Sequence, residues 1–300
     1  MGTGGPSLPQ PALTSTSAEA APSGGKSGPN RRQGASHGSG PIRIGPGSIA
    51  VRVPLLSTRP ARPALRAASL AVLLAATPAA AIVGGREGAE VPGVASAVMV
   101  LTAGGGVCSG IVVAPDAVLT AGHCVAGAGE NRVHYRDETG RPVLAEVAAR
   151  SLHPGYDGDA IRGRTRSIDL ALLRTREPLP ARFVPANLSA ATPRAGQSLT
   201  LAGYGATRGG DRRSIGRYRG ATLTVIEPYG PSRILVWMQS KGAGGCQGDS
   251  GGPILEGAAV MAVAAWVKDA CGGLTQGILL GPQRAWIDRT LAGWGTSARW

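Results

Sequence analysis

Past Ile82 the apolar residues come in short bursts, each closed by a cluster of turn formers. Val94–Thr102, Ile111–Val113, Ala117–Thr120, Leu199–Ala202, Thr222–Ile226, Ile234–Met238 and Ala259–Trp266 have the length and composition of strands. Pro115-Asp116 and Gly209-Gly210-Asp211 supply turns between such segments. Only Pro282–Leu291 reads as a helix, with Trp286, Thr290 and Leu291 on one side. Gly and Pro number 47 and 23 of 300 residues, too many for a helical bundle or coiled coil. No apolar run reaches the roughly 18 residues that a membrane-spanning helix needs. The expected class is all-β, barrels or a sandwich, with no stable membrane insertion.

The N-terminal part has a different composition. Of residues 1–58, 28 are Gly, Pro or Ser. Such a stretch cannot bury enough apolar surface to offset the entropy of ordering it, so it reads as a disordered extension or a mis-assigned start, with translation beginning near Val51. Residues 59–81 then read as a secretory signal peptide. Arg59, Arg62 and Arg66 precede the apolar run Ala67–Ala76, and the small residues Ala79-Ala80-Ala81 suit a signal peptidase. Residues 1–81 also hold eight Lys/Arg against one Asp/Glu, so the formal charge of +13 falls to +6 for residues 82–300. The basic clusters that remain are Arg162, Arg164 and Arg166, and Arg208, Arg212, Arg213, Arg217 and Arg219. They have no interleaved aromatics for base stacking, so a nucleic-acid partner is not expected. Solvated loops are the plain reading of these clusters, and attraction to acidic substrates or polyanions is the sharper one.

Four cysteines, at 108, 124, 246 and 271, in a secreted chain read as two disulfides, and four cysteines allow three pairings. There is no CxxC and no His at zinc spacing, so neither a metal nor a cofactor is expected. Three motifs carry chemistry. Thr120-Ala121-Gly122-His123-Cys124 ends a strand with a histidine; Ser167-Ile168-Asp169-Leu170-Ala171-Leu172-Leu173 sets an aspartate in an apolar stretch; Gly245-Cys246-Gln247-Gly248-Asp249-Ser250-Gly251-Gly252-Pro253 frames a serine with glycines. A serine hydroxyl is a weak nucleophile at neutral pH and needs a base within hydrogen-bond reach. Imidazole titrates near working pH, and a carboxylate on its far nitrogen holds one tautomer.

These motifs, in this order, resemble those of the trypsin-like serine proteases of the chymotrypsin fold, over about residues 82–294. The resemblance implies two packed six-stranded antiparallel β-barrels with a C-terminal helix, residues 82–190 forming the first barrel and 191–300 the second barrel and helix. It implies a secreted, monomeric serine endopeptidase acting on protein or peptide substrates. Ser250 is then the nucleophile, His123 the general base and Asp169 its orienting partner, with the backbone N–H groups of Gly248 and Ser250 as the oxyanion hole. Ile82-Val83-Gly84-Gly85 resembles the family's mature N-terminus, whose free amine pairs with the residue here numbered Asp249. Ala81 precedes Ile82, so signal peptidase itself is expected to release that terminus. The family pattern pairs Cys108 with Cys124 and Cys246 with Cys271. Where the family usually has a serine that helps hold the catalytic aspartate, this chain has Ala265.

By the same resemblance Gly244, Trp266, Val267 and Gly277 line the substrate pocket. Cleavage after Lys or Arg requires an acid at the pocket base, and Gly244 is neutral; a guanidinium desolvated there without a partner is costly. Val267 narrows the entrance. The expectation is cleavage after small to medium apolar residues, nearer elastase than trypsin, with soft selectivity.

Overall fold

The computed structural model describes residues 82–300 apart from 128, 164, 229 and 270, and the side chain at 161. The low-complexity stretch 1–58 and the signal reading of 59–81 lie outside the described residues. A two-residue strand, β1 (Arg86–Glu87), leads into a 3-10 turn at Val94–Ser96 and then the first barrel. Its strands are β2 (Ala97–Thr102), β3 (Val107–Ala114), β4 (Ala117–Thr120), β5 (Asn131–Arg136), β6 (Pro142–Leu152) and β7 (Ala171–Thr175). They close in the order β2-β3-β4-β7-β6-β5, with every pairing antiparallel and β5 returning onto β2. A one-turn helix, α1 (Ala160–Gly163), lies between β6 and β7.

The short β8 (Asn187–Leu188) precedes the second barrel, built from β9 (Ser198–Gly203), β10 (Arg219–Ile226), β11 (Leu235–Gln239), β12 (Pro253–Glu256), β13 (Ala259–Val267) and β14 (Thr275–Leu279). The ring runs β9-β10-β11-β14-β13-β12 and closes where β12 pairs with β9. β1 is added outside β10, and β8 runs parallel to β13. The helix α2 (Arg284–Gly293) follows β14 and buries Trp286, Ile287 and Leu291. Among the described residues no helix is long and apolar enough to cross a membrane.

Side chains alternate across a strand, and here the alternation divides the core into three. Val98, Val100, Val112, Val118, Val133 and Leu173 fill the first barrel. Leu199, Leu201, Leu223, Val236, Met238 and Ile254 fill the second. The opposite faces of β3, β4 and β7, with Ile111, Leu119 and Leu172, pack outward against Val260, Val263, Ile278 and α2. Strands with both faces buried read as continuous apolar runs, which is why the β3–β4 region stands out in the sequence. Full burial of one such Leu or Ile is worth about 1.5–3 kcal/mol, so the seam between the barrels is held by the same force as either interior.

Candidate active site

His123 lies on a 3-10 turn, Gly122–Cys124, directly after β4. Asp169 stands two residues before β7, which pairs with β4, so the ladder itself brings the two together. The His123 backbone N–H donates to Asp169 Oδ1 at 2.7 Å, and ring Nδ1 meets Oδ2 at 2.7 Å. An ionised carboxylate only accepts, so Nδ1 carries the proton and Nε2 is left as an acceptor. Among the described residues the Asp169 carboxylate receives hydrogen bonds from His123 alone, and Ala265 is buried without a polar group to offer. The Tyr156 ring borders Gly122 beside Asp169; burial, followed by the charges of Asp169, Asp157 and Asp159, lifts its phenol above the usual range. His153 packs edge-on to Trp286 at 4.7 Å and accepts from Gly155 N–H at Nδ1 (2.9 Å). Burial holds it below the usual histidine range, so it serves as a neutral strut between α2 and the loop that carries Asp169.

Ser250 sits in the tight loop ahead of β12. Its carbonyl accepts from Ser109 N–H at 2.7 Å. Ser109 follows Cys108 on β3, Cys108 is disulfide-bonded to Cys124, and Cys124 follows His123. Cys124 Sγ lies 4.0 Å from the Ser250 carbonyl oxygen. The serine and histidine loops of the two barrels are therefore held against each other by one disulfide and one hydrogen bond. A second disulfide joins Cys246 to Cys271. Closing loops of 16 and 25 residues, each bridge stabilises by about 3 kcal/mol in the chain-entropy picture. Among the described residues Cys108, His123 and Cys124 gather within 4.8 Å, but both sulfurs are in the disulfide, so no thiolate remains to ligate a metal.

The glycines around Ser250 have a spatial reason. A Cβ on Gly251 would lie 2.1 Å from both Ser109 O and Thr120 Oγ1, so only glycine lets this loop touch the first barrel. Gly248 has φ +99, and its missing side chain would meet Gly205 Cα at 2.9 Å. Between them Asp249 is wholly buried, accepting from Gly205 N–H and Cys246 N–H at 2.8 Å each. Burial raises its pKa to about 7, against those two hydrogen bonds and the charge of Arg219. Arg219 is itself buried and pairs with Glu87 at 3.0 Å. Ile82 is fully buried among Leu199, Leu201 and Met238, and Val83 O accepts from Gly244 N–H at 3.1 Å.

Of the residues expected to line a substrate pocket, Gly244 has the side that would carry a Cβ closed by the 272–273 backbone, 2.8 Å from Gly272 C and Gly273 O. Trp266 is half-buried and edge-on to Trp237 at 6.1 Å. Val267 is half-buried and pairs with Thr275. Gly277 opposes Ala264, and its Cβ direction faces the barrel interior, 2.3 Å from Ile254 Cδ1. Thr275, two residues earlier, is buried, with Oγ1 accepting from Gly245 N–H at 3.1 Å. Sequence reasoning passed over Thr275 and Ser109, because a lone Thr or Ser on a strand gives no local signal of what it will meet.

A family model described as Trypsin matches residues 82–283. Human kallikrein-8 is 28% identical over 181 residues, covering 55% of this chain and 68% of that protein. Trypsin alpha-4 of Lucilia cuprina is 28% identical over 179 residues, 53% and 67% of the two chains. Among solved structures, human heparin binding protein superposes with a TM-score of 0.59 at 25% identity, over 72% of this chain and 99% of that one. The matched span takes in both barrels and the loops that carry His123, Asp169 and Ser250, and the chain belongs to the trypsin family, whose members are serine endopeptidases.

Proposed function

We propose that the protein is a secreted, monomeric endopeptidase in which Ser250 attacks the scissile carbonyl. His123 takes the serine proton at Nε2 and returns it to the leaving amine. Asp169 fixes the tautomer and stabilises the imidazolium, and the N–H groups of Gly248 and Ser250 receive the oxyanion. Water, activated by the same His123, then releases the acyl group from Ser250. The observation that carries this reading is the twofold grip of Asp169 on His123, through backbone N–H and ring Nδ1, which leaves Nε2 free to act as a base. Two disulfides support an extracellular site of action. A fluorophosphonate probe is expected to modify Ser250 stoichiometrically and to leave Ser250→Ala unmodified. Intact mass after labelling decides it, and an unlabelled, correctly folded wild type sinks the reading in favour of a non-catalytic binding protein.

The same reading extends to the pocket. With the 272–273 backbone closing the Cβ side of Gly244 and Val267 nearby, the pocket suits small to medium apolar side chains; Gly244 itself offers a guanidinium no carboxylate, and Asp269 Oδ2 lies behind that wall, 3.6 Å from where a Cβ on Gly273 would sit. One methylene decides about 1–3 kcal/mol in such a pocket, so kcat/KM on a p-nitroanilide panel is expected to favour Ala, Val and Leu over Arg by a factor of about 10 or more. Preference for Arg overturns this specificity.

A further inference from the structure

The chain between Tyr204 and Tyr218 joins β9 to β10 beside the loop that carries Ser250. It is anchored at its start by Ala206 N–H donating to Gln247 O at 2.8 Å, three residues before Ser250. Gly209 lies beside the pocket disulfide, where a Cβ would sit 3.9 Å from Cys271 Sγ. Arg212 Nη2 then donates to Gly105 O at 3.0 Å, in the turn that joins β2 to β3. The loop leaves and re-enters the second barrel, and midway Arg212 reaches across to the first-barrel turn that leads into Cys108 and Ser109. If the acyl half of a substrate rests on Trp266 and Val267, the leaving half runs the other way from Ser250, past β3 and under this loop.

The loop is strongly cationic at that end. Arg208, Arg212 and Arg213 are exposed, and Asp211 is the only acid from 204 to 218. Its carboxylate is already engaged: Oδ1 accepts from Arg213 N–H at 3.2 Å, and Oδ2 faces Thr207 Oγ1 at 3.4 Å and Arg208 Nε at 3.9 Å. The Arg212 guanidinium bonds only a neutral carbonyl, and that of Arg213 has no partner among the described residues. Arg217 and Arg219, by contrast, are paired with Glu87. Two guanidiniums are thus left without a carboxylate, on the loop that runs from the Gln247 contact to the turn before β3.

We propose that Arg212 and Arg213 select substrates with Asp or Glu within about three residues on the leaving side of the scissile bond, a reach of about 10 Å in extended chain. The selection rests on the protease reading above and adds a charge preference on the far side of the bond from the apolar pocket. Arg212 keeps its carbonyl contact while offering its remaining N–H groups outward; Arg213, unpaired, swings to the incoming carboxylate. Exposed ion pairs are individually weak, so two acting together give a preference of about tenfold rather than an absolute requirement.

Internally quenched peptides sharing one acyl half, with Asp/Glu, Asn/Gln or Lys on the leaving side, test this. The acidic peptides are expected to show about tenfold higher kcat/KM than the Lys peptides, collapsing to within about twofold in Arg212→Ala/Arg213→Ala and in about 1 M salt, where the screening length is about 3 Å. Turnover of a p-nitroanilide, which has no leaving-side residues, is expected to be unchanged in the double variant. Equal cleavage of acidic and basic peptides with normal p-nitroanilide turnover overturns the selection and leaves the protease standing. No turnover of any substrate together with no fluorophosphonate labelling overturns the protease reading itself. Loss of heparin-column retention in the double variant, with no peptide preference in the wild type, also overturns it and makes the loop a polyanion-binding surface.

Discussion

A chain that starts at Ile82 is expected to turn over peptide substrates about 10²–10³-fold faster than one that retains residues ahead of it, because breaking one end of a buried ion pair costs about 3–5 kcal/mol. The pair would join the Ile82 amine to Asp249. Ile82 is already seated in the second barrel, and Asp249 lies between the two proposed oxyanion donors, Gly248 and Ser250, wholly buried. In the uncut chain that carboxylate is held by two backbone N–H groups and the Arg219 charge, and burial still lifts its pKa from 3.8 to about 7. A raised acid contributes stability that is full below 3.8 and is lost as pH rises through about 7. About three units at 1.36 kcal/mol each come to about 4 kcal/mol. The Ser250→Ala variant with its extension, unable to cut itself, is expected to lose that stability between pH 4 and 8, while the same variant starting at Ile82 does not. Asp249→Asn should abolish the slope in both and the activity gain with it. Matching pH–stability curves for the extended and trimmed chains sink the pairing.

The parts of the fold legible in the sequence were those where burial is two-sided. β3, β4 and β13 face a barrel interior on one side and the seam on the other, so their apolar runs are continuous and announce themselves. β5 and β6 face solvent on one side. β5 reads Asn-Arg-Val-His-Tyr-Arg with Val133 its one fully buried apolar residue, and β6 dilutes its alternation with alanines. Neither reads as a strand without its neighbours. The division into two barrels rested on resemblance, since composition alone left a sandwich equally open. The candidate site divides the same way. His123, Asp169 and Ser250 are visible because each sits in a local motif. Ser109, Thr275 and the Glu87–Arg219 pair are invisible because each acts on a partner 30 or more residues away, through contacts that only the closed barrels create.

Replacing Ser109 with alanine is expected to lower kcat by about 10–10² with little change in KM, approaching the loss of an oxyanion donor. Ser109 is buried on β3, and each of its polar groups is engaged. Its N–H donates to Ser250 O at 2.7 Å and its carbonyl accepts from Thr120 Oγ1 at 2.8 Å. Its hydroxyl donates to Gly248 O at 2.8 Å and accepts from Tyr204 N–H at 2.9 Å. One side chain of the first barrel therefore helps fix the Gly248–Asp249 peptide plane in the second, together with the Asp249 N–H bond to Cys246 O at 3.1 Å; that peptide lies between the two whose N–H groups are proposed to meet the oxyanion. Alanine keeps the backbone bonds but strands a buried carbonyl and a half-buried N–H, a cost of about 1–3 kcal/mol relieved most easily by rotating that peptide. A merely structural role would lower the melting temperature and leave kcat alone. Thr120→Val supplies that comparison, since it removes the bond to the Ser109 carbonyl and leaves the Gly248 contact intact. A peptide boronate, whose tetrahedral adduct places an oxygen in the oxyanion site, should weaken in step with kcat in Ser109→Ala and not in Thr120→Val. Unchanged boronate affinity and kcat in a folded Ser109→Ala protein would show that the Gly248 peptide holds its orientation without this hydroxyl.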